Sequence, residues 1–400
     1  MKSILLASAS IVAFAIAGAA QAEVTFGGSA TLGFNDDDDG DEGTPASNAV
    51  DDHDGFYWDA TITIAATQDL DNGLTVGFSS EFDIADDNLG LDLESGSYVL
   101  SMTSEMASLF YGDTAFAAET YYEGVGDLDS DGFSEADGET VLRGEAMFGG
   151  FTLGMSYVIA DADGDHVGDD ANVDGDVDQL SLGANGEFGN FTVGFAYQEE
   201  SDANGPLVGD GVADNGEAGE GTDVYDPVDT NGDFNTDEIF AIFGSTSVAG
   251  ADISLAYASN ETQDTTSTGV GVSYPVGPVV LGFEYGFNPD SLDTYELMVG
   301  YANGPVTVDA SYSDNEDGTD EEYSVDASYD AGNNLTVFTG VHGGEDNTDE
   351  LDYYVGGTLG LSDAASMTVS YAVDDDESEE DEIGAPEYQQ GTTVEFSFDF

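Results

Sequence analysis

The chain has 400 residues, of which 85 are Asp or Glu and 2 are Lys or Arg, for a formal net charge of −83. So few cations cannot neutralise the phosphates of a nucleic acid or dock on an anionic membrane through a polybasic patch, and the lack of Cys excludes disulfides and thiolate metal sites. Hydrophobic residues make up 40% and aromatics 11%, too apolar for an acidic disordered chain, so something orders a large population of Tyr, Phe and Val.

Residues 1–22 have the form of a secretory signal. Lys2 supplies the n-region charge, an apolar run follows from Ile4 to Gly18, and Ala20-Gln21-Ala22 is a small-x-small cleavage site. A transmembrane anchor fits less well, because the run is short and no basic flank follows. The mature chain, 23–400, then keeps Arg143 as its one Lys or Arg.

From Glu23 onward the dominant period is two. Segments 24–34, 56–66, 74–84, 97–103, 107–112 and 140–148 open a series that ends at 392–400. In 279–287, Val279, Leu281, Phe283, Tyr285 and Phe287 share one face, with Val280, Gly282, Glu284 and Gly286 on the other. In 151–159, Phe151, Leu153, Met155, Tyr157 and Ile159 oppose Thr152, Gly154 and Ser156. Such segments are strands with one apolar and one small or polar face. Tight Gly and Asn turns at 71–73, 148–150, 189–190, 303–304 and 333–334 alternate with long acidic connections at 35–54, 113–139, 161–176, 201–235 and 375–390. One end of the sheet therefore carries hairpins and the other long loops, the asymmetry of an outer-membrane barrel. About 20 candidate strands of ~8–12 residues fit a tilted bilayer crossing, and merging short segments lowers the count to 16 or 18. An even number places both chain ends at the short-turn rim.

The apolar face could instead pack against a second sheet in a secreted, soluble, acidic calcium-binding β-protein. Two features favour lipid. The opposite faces are mostly Gly, Ser, Thr and acids, which suits a water-filled lumen, and Tyr recurs near strand ends, as at Tyr157, Tyr197, Tyr257 and Tyr371, like an aromatic girdle. A surface or adhesion barrel with a closed lumen is a further alternative.

The chain resembles the Gram-negative porins, especially the general porins of alphaproteobacteria. Residues 23–28, EVTFGG, look like the family's first strand; 394–400, VEFSFDF, like its closing strand with a terminal Phe; and 111–116, YGDTAF, like the entry to its inward-folded third loop. The resemblance implies a trimeric, all-β, antiparallel transmembrane barrel of 16 strands in the outer-membrane lipid, its constriction loop at 113–139, passing small hydrophilic solutes without energy coupling. Two departures stand out. The candidate strands exceed 16 by about two hairpins after Ala251. The family's arginine cluster opposite the loop acids is reduced to Arg143.

With the apolar face outward, strand phase sends Asp59, Glu81, Asp83, Glu145, Glu187, Glu284, Glu296, Asp309, Asp326, Asp352 and Glu395 into the lumen, together with Arg143. The third loop adds Glu119, Glu123, Asp127, Asp129, Asp131, Glu135, Asp137 and Glu139. Acids along a narrow polar path concentrate cations and exclude anions, so the expected activity is cation-selective diffusion. Arg143 either lines the constriction and pairs with third-loop carboxylates, fixing that loop, or pairs with Glu145 or a neighbouring-strand acid and only relieves repulsion. Asp127, Asp129 and Asp131 begin like an EF-hand loop, but Gly138 stands at position 12 and no flanking helices appear, so they suit at most weak Ca²⁺ or Mg²⁺ binding; the runs at 161–165, 174–178 and 229–237 repeat the spacing. No enzyme constellation appears: there is no G-x-S-x-G turn before a helix, and no cofactor is required.

Overall fold

Alternation along each segment becomes a two-faced wall once the strands pair. The computed structural model describes residues 12–13, 22–36, 55–85, 94–135, 140–160, 176–201, 234–289, 293–315, 321–344, 351–373 and 390–400. Twenty strands form the wall: β1 (Glu23–Asp36), β2 (Gly55–Asp69), β3 (Thr75–Ala85), β4 (Glu94–Thr103), β5 (Ala107–Gly112), β6 (Val141–Phe148), β7 (Phe151–Ala160), β8 (Asp176–Phe188), β9 (Phe191–Gln198), β10 (Ile239–Val248), β11 (Ala251–Asn260), β12 (Thr265–Val276), β13 (Val279–Phe287), β14 (Thr294–Asn303), β15 (Val306–Asn315), β16 (Glu322–Gly332), β17 (Leu335–Gly343), β18 (Leu351–Ser362), β19 (Ala365–Val373) and β20 (Gly391–Asp399). Among the described residues one helix, α1 (Ala117–Tyr121), lies between β5 and β6. The two-residue segment Val12–Ala13, within the expected leader, pairs with Phe26 and Thr25.

Every barrel strand is antiparallel to its sequence neighbour, and β20 returns to β1, with Ser29 opposite Asp399 and Asp36 opposite Thr392. Gly28 and Phe400 exchange both backbone hydrogen bonds, at 2.9 and 3.0 Å. Closure removes the sheet edge, which a strand crossing hydrocarbon could not leave unpaired. The count of twenty matches the candidate strands and exceeds by two hairpins the sixteen that the family resemblance implies.

The tight turns fall at one rim. At 333–334 both Asn residues take positive φ, 55° and 63°, the backbone that a two-residue hairpin needs to match the strand twist. The other rim carries the longer connections, and 261–264 is a tight exception.

The outer face is apolar. Leu153 and Met155 are 47% and 48% exposed, while Ser156, on the opposite face of the same strand, is fully buried. Leu281, Phe283, Leu297 and Val299 continue the exposed row onto β13 and β14, across the register pairs Leu281–Val299 and Phe283–Leu297. A continuous apolar belt of this kind calls for hydrocarbon against it. At its long-loop border, tyrosine hydroxyls donate to rim carboxylates: Tyr197 to Glu238 (2.9 Å), Tyr285 to Asp293 (2.8 Å), Tyr295 to Asp314 (3.1 Å) and Tyr312 to Glu321 (3.0 Å). Their rings thus face the belt while their polar tips reach the aqueous rim. Among the described residues no helix is long and apolar enough to cross a membrane; a barrel crosses with strands.

The two faces should answer differently to the same cation. Leu297→Arg, mid-strand and outward, is expected to cost about 2–4 kcal/mol, whereas Thr307→Arg, inward, should cost little. Denaturant titration of the refolded barrel measures both.

Candidate functional site

After β5 the chain leaves the sheet, and residues 113–135 run along the face of the wall opposite the apolar belt, the interior of the barrel. Hydrogen bonds fasten this loop strand by strand. The Ala117 and Ala118 amides donate to Ser156 Oγ on β7 and Ser181 Oγ on β8, both at 2.9 Å. These serines satisfy amides that a helix start leaves unpaired, and Glu119 Oε2 takes the Phe116 amide at 3.1 Å. Farther along, Gly126 N–H donates to Glu284 Oε2 on β13 (3.0 Å), and the Asp127 carbonyl accepts from Asn288 Nδ2 (2.9 Å) and Thr294 Oγ1 (3.0 Å).

Inward-facing glycines make room for the loop. A Cβ at Gly183 would lie 2.0 Å from the Ala117 carbonyl oxygen, and one at Gly269 would lie 1.8 Å from that of Val125. Even alanine at either position would displace the loop, so the missing side chains let backbone meet backbone. The loop is two-sided in turn. Phe116, Val125, Leu128 and Phe133 are buried against the wall, while Glu119, Glu123, Asp127, Asp129 and Glu135 stay exposed toward the open interior.

Arg143 sits beneath the start of this loop. Its Nε is 3.1 Å from Glu145 Oε1, within ion-pair distance but off the line of the N–H. Nη1 donates to the Ala115 carbonyl (2.6 Å) and the Thr120 hydroxyl (2.7 Å). The guanidinium also stands 5.1 Å from the centre of the Phe110 ring, directly opposite in register. With 11% of its side chain exposed, Arg143 pairs with Glu145 and bonds to the loop at the Ala115 carbonyl and the Thr120 hydroxyl.

The rest of the interior carries the other expected acids. Glu81 accepts from Thr63 (3.2 Å), and Glu395 accepts from Tyr57 (3.1 Å). Asp59, opposite Thr31 on β1, shares their inward phase. Glu284 faces Glu296, and Asp309 faces Asp326, as directly opposed pairs, an arrangement of like charges that is locally destabilising. Asp326 is relieved by His342 Nε2 at 3.0 Å and by the Tyr354 hydroxyl, and Asp352, opposite His342 in register, is buried. The Asp83 side chain and residues 136–139, with Glu139 and Asp137, lie outside the described residues.

The expected metal turn at Asp127, Asp129 and Asp131 does not form a cage. Asp127 and Asp129 are exposed, whereas Asp131 is turned toward Tyr122 and Gly124, and the segment's backbone is tied to β13 and β14. Among the described residues no group of three or more His, Asp and Glu is arranged to hold a metal ion. The runs at 161–165, 174–178 and 229–237 lie largely outside the described residues.

Burial pushes the Asp131 carboxyl up to about 7; Asp127 and Asp129 add to the rise, and the neighbouring Tyr122 hydroxyl opposes it. That hydroxyl is buried without a well-aligned hydrogen-bond partner, and burial followed by the Asp131 charge holds its own pKa far above the usual phenol range. Asp129 is also raised, by burial and then by Asp127.

Sequence reasoning missed the residues at the loop's far end. Ser134, Gln179 and Gln198, all buried, and the half-buried Asn235 form a hydrogen-bonded cluster there, with Gln198 fully buried and Gln179 2% exposed. Gln179 is the extra residue where the β7–β8 register shifts, with φ of 31°, as a bulge that re-aims a side chain would require. The available signal was chemical: uncharged amides at inward positions in a chain that otherwise places acids there.

A closed membrane-spanning β-barrel narrowed from within by one acidic loop is the architecture of a diffusion channel. The chain belongs to the Gram-negative porins, whose family model matches residues 7–287 and 208–349, and it is an outer-membrane barrel of that family. Among solved structures it is similar to variants of Rh. blastica porin: two align over 94% and 95% of this chain and 100% of theirs, each at 15% identity, with TM-scores of 0.44 and 0.43. A triple mutant of Rhodopseudomonas blastica porin aligns over 95% of this chain and 100% of its own, at 13% identity and a TM-score of 0.42. No curated protein matches the chain.

Asp131 gives the loop a pH dependence of definite sign. Its folded pKa lies above the unfolded value of 3.8, so the folded loop binds the extra proton, and stability falls as pH rises from about 4 to about 7. Hydrogen-exchange protection of residues 124–133, corrected for intrinsic rates, should drop across that window. Asp131→Asn should flatten the dependence and keep the loop protected at pH 8.

Proposed function

We propose that this porin is a passive, cation-selective channel for small hydrophilic solutes and ions. The observation that carries the reading is the single sign of the interior: exposed loop acids Glu119, Glu123, Asp127, Asp129 and Glu135 share the barrel with inward acids from β2 to β20, and the one arginine is paired with Glu145. The low-dielectric wall focuses this field along the water path, so cations concentrate in it and anions are repelled. Solutes move down their gradients with no coupled step, and hydration and size set what passes. The absence of a catalytic constellation in the sequence supports a non-enzymatic role.

The homotrimer belongs to this proposal by family resemblance, and cleavage after residue 22 with secretion to the periplasm by the form of the leader. Weak binding of Ca²⁺ or Mg²⁺ at the acidic loops is also part of the proposal, on the spacing of their Asp runs and the affinity of oxygen-only ligands for hard cations.

Planar-bilayer recording in asymmetric KCl tests the reading. The reversal potential should carry the sign of K⁺ preference. The preference should be strong at 0.1 M salt and weak at 1 M, as the Debye length shrinks from about 10 Å to about 3 Å. A reversal potential of chloride sign, or bilayers that stay silent, would refute it.

A further inference from the structure

We infer that Phe234 and Asn235, a dipeptide a hundred residues from the constriction loop in sequence, are its positioning residues and hold it at both ends; the inference rests on the reading of that loop as the channel's constriction. Phe234 is 4% exposed and packs with Phe116, Val141 and Val158, its ring 6.0 Å from that of Phe116, where the loop begins. Asn235 grips the loop's other end. Its Nδ2 donates to the Gly132 carbonyl at 2.6 Å, and its own amide donates to Ser134 Oγ at 3.0 Å.

The wall completes the grip. The Asn235 carbonyl accepts from Gln179 Nε2 (2.6 Å) and Gln198 Nε2 (2.8 Å), and Gln198 Oε1 accepts the Ser134 amide (2.8 Å). The Ser134 hydroxyl, 3.0 Å from both Gln179 Oε1 and the Asn235 carbonyl, donates to one of them at a time. Gln179 on β8 and Gln198 on β9 thus bind loop and dipeptide together.

The chemistry of position 235 is specific. Its side chain must donate at one end, to Gly132, and accept at the other, where Oδ1 takes the Asp237 amide at 2.9 Å. Asparagine does both. Aspartate keeps the shape but turns an acceptor toward the Gly132 carbonyl, so it loses the donor and adds repulsion. The grip is made of neutral hydrogen bonds, which suits an interior where carboxylates would repel the acidic loop. Together with Arg143 under Ala115 and Thr120, it fixes the loop without a second cation.

The test uses the full mature chain refolded in detergent. Glutamyl endopeptidase cuts after Glu119, Glu123 and Glu135 only when the loop leaves the wall, and cleavage under rapid reclosing follows the open population. Asn235→Asp should be cut at these sites about tenfold faster than wild type, the scale of one lost hydrogen bond plus repulsion, with the barrel's melting temperature unchanged and open-channel noise raised. Because the chain has no cysteine, a Gly132→Cys/Asn235→Cys pair adds a control in a single polypeptide; a Cβ at Gly132 would lie 3.8 Å from Asn235 Nδ2. Its oxidised form should resist cleavage and its reduced form be cut. Equal cleavage of Asn235→Asp and wild type, or of oxidised and reduced pair, would overturn the inference. Wild-type bilayers without current would instead refute the channel reading, and the cleavage result would still decide this one.

Discussion

A strand can cross hydrocarbon only when its backbone hydrogen bonds are satisfied by neighbours and its outward side chains are apolar. The closed ladder from β1 to β20 meets the first condition, and the alternation of Leu153, Met155, Leu281 and Phe283 with small residues meets the second. Everything else in the molecule is built on what remains: the inward half of each strand. That half is free of lipid's demands, so it can carry glycine, serine and charge. The Gly183 and Gly269 seats exist because the inner face need not be packed with large side chains, and the loop fills the room they leave.

The interior then faces an electrostatic problem of its own. An acidic loop lying on an acidic wall would be expelled if charge alone decided. The structure answers with neutral contacts. Serine hydroxyls take the Ala117 and Ala118 amides, glutamine amides hold Ser134 and Asn235, and apolar residues such as Phe116 and Val125 face the wall. Glu284 is used where a carboxylate can help, as acceptor for the Gly126 amide. Arg143 works at the remaining weak point, paired with Glu145 and bonded to the loop backbone. A wall with a single arginine therefore uses it to place the loop.

Strand existence and phase were legible because the period-two signal repeats in every segment, and the acids that share a phase with glycine and serine were legible as inward. Strand ends moved by one to three residues, as at β1 and β2, where polar residues continue the ladder beyond the apolar run. What could not be read was contact across long sequence separations. The Asn235 grip depends on a bulge at Gln179 and on a return segment whose local sequence carries no periodic signal. The spacing of Asp127, Asp129 and Asp131 resembled a cation loop, but the segment's backbone is tied to the wall, and Asp131 is turned toward Tyr122 and Gly124 while Asp127 and Asp129 stay exposed. The Arg143 alternatives stayed open in sequence because one side chain serves both neighbours.

The central claim is the opposition of the two faces, and it can be read residue by residue. Single cysteines placed in turn from 279 to 287 in the lipid-reconstituted protein would be challenged with a charged thiol reagent and with a lipid-soluble one. The charged reagent should modify 280, 282 and 284 from the water-filled interior and spare 281, 283 and 285, and the lipid-soluble reagent should show the reverse; 286 is left out because the Asp127 carbonyl of the loop lies against it. A charged reagent that reached both sets equally would mean that water covers both faces of the wall, contradicting the account at its foundation.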